Sequence, residues 1–218
     1  MTNVDCNIKN ILLTIYSIIK YSLSKTRRYL NLFYIIIRYK PKSILEVGVY
    51  KGIRSEEMIR AAKIFNKNIS FYGFDLFENI TNKERLKELS KLPHPELIIA
   101  ERLKKICNNV VLYKGYSHKT LKKFIIQKKK IDLIFIDGGH RISTIEKDWN
   151  YCLQLAKKKT IIIMDDYYTN NKKLVNYYGC NNLVKKIKKK YEISIMPLKD
   201  YFKINKKRTG IKMVSIKI

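Results

Sequence analysis

The spacing of apolar positions changes character at Pro41. Before it, residues 11–23 and 30–39 place apolar side chains at helical intervals on either side of the basic link Lys25-Thr26-Arg27-Arg28, which predicts two helices. In the first, Asn10, Thr14, Ser17, Lys20 and Ser24 recur every three or four positions and leave a wide apolar face around the remainder. Such a face needs a cover. The chain's own sheet layer, a homodimer through these helices, or a peripheral membrane contact helped by the basic link would each supply one.

After Pro41 short β-branched runs alternate with charged helical stretches, the grammar of βαβ units around a parallel sheet. Seven strands are expected, at 43–47, 69–74, 110–113, 133–136, 160–164, 192–196 and 211–216, and a helix at 143–155. Between the second and third strands, residues 78–109 are more than one crossover helix requires, and Leu92-Pro93-His94-Pro95 breaks them. This stretch predicts a lid over a site or an extra surface helix. No internal repeat is visible.

The strand ends carry the candidate chemistry. Leu133-Ile134-Phe135-Ile136 runs into Asp137, and Ile161-Ile162-Ile163-Met164 runs into Asp165-Asp166. Ligands of open α/β sheets bind beyond the carboxyl ends of strands, so three carboxylates there form an oxygen-rich site suited to a hard divalent cation. The first strand leads into Glu46-Val47-Gly48-Val49-Tyr50-Lys51-Gly52, where glycines let a ligand approach bare backbone or simply make a tight turn. This ExGxxxG pattern is neither the GxGxxG of dinucleotide binders nor a phosphate-binding P-loop. Asp75 ends the second strand, 27 residues after Gly48, placed to accept hydrogen bonds from ribose hydroxyls. After the third strand, Tyr116 and Ser117 would frame an adenine or mark a plain surface turn.

Composition narrows the classes. At 218 residues the chain fits one domain with an appendage, divided here into a helical segment 1–40 and a domain 41–218. A formal charge of +28 would attract nucleic acid, an anionic membrane or an acidic substrate, but the basic residues are spread along the chain instead of forming one block. Abundant Lys, Ile, Asn and Tyr with few Gly and Ala also match a strongly A/T-biased coding sequence. Cys6, Cys107, Cys152 and Cys180 stand alone, without metal-ligand spacing, which predicts a reduced, cytoplasmic protein. No signal peptide is expected, and no run approaches the ~18–20 apolar residues of a membrane span.

Five phrases in order, Ile44-Leu45-Glu46-Val47-Gly48-Val49, Gly73-Phe74-Asp75-Leu76-Phe77, Phe135-Ile136-Asp137-Gly138-Gly139-His140, Asp148-Trp149 and Met164-Asp165-Asp166-Tyr167-Tyr168, resemble the class I S-adenosylmethionine-dependent methyltransferases. More narrowly they resemble the bacterial macrocin-type sugar O-methyltransferases, and the likeness runs from about Pro41 to the C-terminus through Gly179-Cys180-Asn181-Asn182-Leu183-Val184 and Ile195-Met196-Pro197. The resemblance implies an α/β fold, doubly wound, with a mostly parallel seven-stranded Rossmann-like sheet behind the N-terminal helical appendage. It also implies S-adenosylmethionine as cofactor, with Glu46, Gly48 and Gly52 along its methionine portion and Asp75 on the ribose; Asp137, and Tyr116 and Ser117 if they frame the adenine, are the further candidate contacts. Asp137, Asp165 and Asp166 match the family's magnesium ligands. His140 falls three residues after the first ligand, where related catechol-type enzymes carry a catalytic lysine, and is thereby implied as the base.

The implied reaction is Mg-dependent O-methylation of a hydroxyl on a small molecule or glycan sugar: a cation lowers the hydroxyl pKa, a base removes the proton, and the oxygen attacks the sulfonium methyl in line. RNA-directed methylation and a non-catalytic protein that binds nucleic acid or membrane are the alternatives. Nucleic acid is the weaker partner: the absence of an NPPY-like motif counts against exocyclic base methylation, though not against every RNA substrate. Lys157-Lys158-Lys159 stands where the family has a Pro-Gly turn, which predicts a reshaped loop or an anion contact. Trp149 is expected to pack, and His94 and His118 to lie at the surface.

Overall fold

The computed structural model describes residues 3–204 and 207–218. The N-terminal segment forms α1 (Asn3–Ser22), a short turn at Arg27–Tyr29 and α2 (Leu30–Tyr39). There follow β1 (Ser43–Val47), α3 (Ile53–Lys63), β2 (Ser70–Asp75), a turn at Phe77–Asn79, α4 (Asn82–Lys87), α5 (Glu96–Lys104), β3 (Val110–Lys114) and α6 (Ser117–Ile125). The second half comprises β4 (Ile131–Ile136), α7 (Ile142–Leu155), β5 (Ala156–Thr169), α8 (Lys172–Val175), α9 (Asn181–Ile187), β6 (Glu192–Ile204) and β7 (Lys207–Lys217).

The strands form a seven-stranded sheet in the order β3-β2-β1-β4-β5-β7-β6. β1 to β5 pair in parallel, and β7 inserts antiparallel between β5 and β6. This is the doubly wound α/β sheet expected from the alternating pattern. Its central strands read as unbroken apolar runs because both faces are covered. Ile44, Leu133 and Ile161 point into a core shared with α2, α3 and α5, while Leu45, Ile134 and Ile162 point into one shared with α6, α7 and α9. Trp149 packs in the second core, edge-on to Tyr191.

Two local expectations change. Lys157-Lys158-Lys159 is not a loop but the exposed, bulged start of β5: Ala156 already pairs with Ile131, and the register shifts before Leu133 meets Ile161. The Lys157 N–H donates to the Thr160 hydroxyl and the Lys159 N–H to the Ile218 carbonyl, so the bulge keeps its hydrogen bonds.

The second change is in α1, whose inward face is the polar one. Asn10, Thr14, Ser17 and Tyr21 are buried, and the helix packs mainly on α3. The reason lies in α3, which presents Glu57 and Arg60 to it: the Tyr21 hydroxyl donates to the Glu57 carboxylate, and Arg60 Nη1 donates to Asn10 Oδ1 at 3.3 Å. The apolar stripe of α1 faces outward. From Tyr21 onward the segment joins the main core, where Tyr29, Leu32, Phe33 and Ile36 pack with Phe71 and Phe135.

Candidate active site

The carboxyl ends of β1, β2, β4 and β5 and the turn after β3 open into one cavity of about 840 Å³. The turn after β1 forms its floor. Gly48 has φ +93°, and a Cβ there would lie 2.0 Å from the Asp137 carbonyl oxygen, so the close approach of β1 and β4 requires glycine. Glu46 and Gly52 stand behind this wall. Burial pushes the Glu46 carboxyl well above its usual range, partly offset by the hydrogen bond it accepts from the Ser55 hydroxyl on α3. Gly52 starts α3 in the left-handed conformation.

Asp75 reaches the cavity from the tip of β2 with its orientation fixed. Its Oδ2 accepts the Tyr50 N–H at 2.7 Å and its Oδ1 the Phe77 N–H at 2.9 Å. Tyr116 and Ser117 line the far end, where α6 begins. Residues 78–109 fulfil both readings of their length. α5 buries Ile99 and Leu103 in the core, whereas α4 and the segment to His94 cover the cavity. The cover is fastened at both sides: Glu84 accepts from the Tyr116 hydroxyl, and Glu88 accepts from the Arg141 N–H at 3.0 Å and the Thr144 hydroxyl at 2.8 Å.

At the opposite end the β5 bulge separates two neighbouring carboxylates. One extra residue lies between Met164 and Tyr167, and Asp166 adopts φ +61°. Asp166 therefore joins Asp137 and His140, and the three offer ligand atoms within 4.8 Å of one another. His140 Nε2 lies 3.0 Å from Asp166 Oδ2, and Nδ1 lies 2.5 Å from the Glu88 carbonyl. Because a carbonyl can only accept, Nδ1 carries the proton and Nε2 faces the carboxylates. Burial disfavours the imidazolium, but Asp166 and Asp137 outweigh it and raise the His140 pKa. Burial, reinforced by neighbouring carboxylates, raises Asp137 strongly and also raises Asp166.

Asp165 goes elsewhere. It receives Arg28 Nε at 2.9 Å and Nη2 at 2.8 Å, and Arg28 Nη1 donates to Asp200 of β6. Burial alone would lift the Asp165 carboxyl, yet Arg28 holds it below its ordinary value. Tyr29 completes the corner by accepting from Arg28 Nη2 at 2.9 Å. Of the three carboxylates expected to form one cluster, the structure thus brings together Asp137 and Asp166, with His140, and pairs Asp165 with an arginine.

Several lining residues carry no local signal of their place in the cavity. Arg28 sits in a link that reads as solvated charge. His94, expected at the surface, stacks edge-on with Tyr50 on the cavity wall, and His118 lines the cavity too. Asp148, part of the Asp148-Trp149 phrase, lines the cavity almost fully buried, and burial raises its pKa to about 7, partly offset by the nearby Ser117 hydroxyl.

A family model described as a methyltransferase domain matches residues 45–167. The chain belongs to this methyltransferase family. No curated protein matches it in sequence. Among solved structures, the methyltransferase chain superposes on the O-methyltransferase TomG from Streptomyces achromogenes, in complex with SAM, with TM-score 0.60 and 13% identity over 90% of this chain and 82% of that one. An O-methyltransferase from Bacillus cereus in complex with SAH gives TM-score 0.58 and 16% identity over 98% and 91%. The N-methyltransferase NodS from Bradyrhizobium japonicum, with SAH, gives TM-score 0.59 at 8% identity over 88% and 87%. The shared fold therefore accommodates acceptors of different chemistry, and the acceptor must be argued from the site.

Proposed function

We propose that the chain is an S-adenosylmethionine-dependent O-methyltransferase acting on a hydroxyl of a small molecule or glycan. The carrying observation is the convergence of Asp137, His140 and Asp166 at one end of a cavity whose other end holds Asp75, Tyr116 and Ser117. Asp75 keeps lone pairs for the ribose hydroxyls, and the Gly48 turn offers open backbone for the methionine portion. Asp148 faces the adenine end beside Ser117 and Gly138; as a neutral acid it presents one O–H and one carbonyl, the complement of the adenine N1 and N6 edge. The macrocin-type motifs support a sugar acceptor. Lys91 and Lys203 line the cavity and form no salt bridge among the described residues, which favours an acceptor bearing phosphate or carboxylate groups.

A divalent cation fits this site. Three buried carboxylates, Asp165, Asp166 and Asp200, and the half-buried Asp137 surround one arginine and one histidine, so carboxylates outnumber cations, and burial together with neighbouring carboxylates raises the pKa values of Asp137 and Asp166. Asp137 and Asp166 would hold the ion, with Asp165 kept in place by Arg28. When bound, the cation supplies a lowered pKa to an acceptor hydroxyl. His140, held by the Glu88 carbonyl through Nδ1, presents Nε2 beside Asp166 and would take the proton of a hydroxyl bound next to that carboxylate. The covering segment excludes water and keeps donor and acceptor aligned.

The test is transfer of a radiolabelled methyl group to a panel of sugars, sugar nucleotides, phenols and RNA, with Mg²⁺, with Mn²⁺ and after chelation. Cation-dependent labelling of a hydroxyl compound that disappears in Asp166→Asn and His140→Gln is the expected result. Undiminished transfer by Asp166→Asn after chelation would overturn the cation-assisted reading, and labelling of RNA alone would overturn the acceptor class.

A further inference from the structure

The exposed side of α1 is apolar and its buried side polar, the reverse of an ordinary surface helix. Ile8, Leu12, Ile15, Tyr16, Ile19 and Leu23 are each between 47% and 82% exposed. Their spacing puts them in a single stripe about 22 Å long. None of them is needed by the protein's own core, because α3 has already taken the polar side.

The stripe has a charged border. Lys9 and Lys20, each one position after a stripe residue, are exposed, and Lys25 and exposed Arg27 continue the positive charge beyond the helix. α1 contains one acidic residue, Asp5, and the whole chain carries +28. Two copies joined along this stripe would bring lysines against lysines in two strongly cationic molecules. An anionic lipid surface meets both requirements, taking the apolar side chains into its acyl boundary while its headgroups match the lysines. We infer that α1 docks the protein on anionic membrane surfaces through this stripe. It lies in the interface instead of crossing it, since among the described residues no helix is long and apolar enough to span a membrane.

Sedimentation of the full chain with vesicles tests this, using phosphatidylcholine alone and phosphatidylcholine with about one third phosphatidylglycerol. The decisive variant is Leu12→Ser with Ile19→Ser, which leaves the charge at +28 and alters only exposed positions, with a thermal melt to confirm folding. The wild type is expected to sediment with the anionic vesicles and the variant to partition about tenfold more weakly or worse. Equal binding by the variant would show that scattered lysines alone attract lipid and would overturn the assignment. So would failure of the wild type to bind, and light scattering would then show whether a dimer split by the variant uses the stripe instead.

Discussion

Arg28 and Asp165 form a buried ion pair at 2.8 Å across 137 residues of sequence, joining the link between the two N-terminal helices to the end of a central strand. A second bond to Asp200 makes the guanidinium the counter-charge for two carboxylates. Removing one partner of such a group leaves charge stranded in a low-dielectric interior. Arg28→Ala is therefore expected to destabilise the protein by about 3–5 kcal/mol in urea unfolding. In a double-mutant cycle, adding Asp165→Asn should return part of that loss; simple additivity would show that the pair is not coupled.

Asp148 gives a pH signature. Its pKa rises from 3.8 to about 7 on folding because burial disfavours the charged form. The folded chain thus keeps a proton that the unfolded chain loses, so this residue's contribution favours folding below about pH 4 and erodes as pH climbs toward 7. Asp148→Asn should be more stable than the wild type by about 2–4 kcal/mol at pH 8, with the difference shrinking toward pH 4. The same variant keeps one donor and one acceptor, so S-adenosylhomocysteine should still bind by calorimetry, whereas Asp148→Leu should weaken binding by about tenfold.

Gly48 and Gly115 both have positive φ, but their surroundings differ. An added Cβ at Gly48 meets the Asp137 backbone at 2.0 Å, whereas at Gly115 the nearest atom is Thr120 Cγ2 at 3.4 Å. Gly48→Ala should cost more than about 3 kcal/mol and abolish methyl transfer, while Gly115→Ala should cost about 1–2 kcal/mol from its backbone conformation alone. Comparable losses for the two would contradict the proposed contact between β1 and β4.

Thr14 is buried on the inward face of α1, and among the described residues its hydroxyl has no hydrogen-bond partner. Thr14→Val preserves shape and removes the stranded polar group, so a gain of about 1 kcal/mol in thermal or urea unfolding is expected. A loss of similar size would mean that the hydroxyl has an important partner.

The strands were legible because burial on both faces leaves little choice but uninterrupted apolar residues, as in Ile161-Ile162-Ile163-Met164. Asp75, Asp137 and Asp166 were legible for a related reason: a carboxylate at the end of such a run must emerge at the ligand edge of the sheet. Arg28 was not, since no local pattern distinguishes a basic residue bound for solvent from one whose partners lie 137 and 172 residues away. Which side of α1 packs inward was not legible for a similar reason. Tyr21 and Asn10 on that side bond to Glu57 and Arg60, and only the pairing of two distant helices reveals that the polar side faces inward. The separation of Asp165 from Asp166 depended on a bulge that identical neighbouring residues do not announce.

The placement of Arg28 constrains chimeras of this chain. The stretch matched as a methyltransferase domain begins at residue 45, yet the cation that offsets Asp165 and Asp200 lies upstream of it. Exchanging the first forty residues for those of another protein would have to import an equivalent arginine or change both aspartates, so the N-terminal segment and the sheet must be chosen as a matched pair.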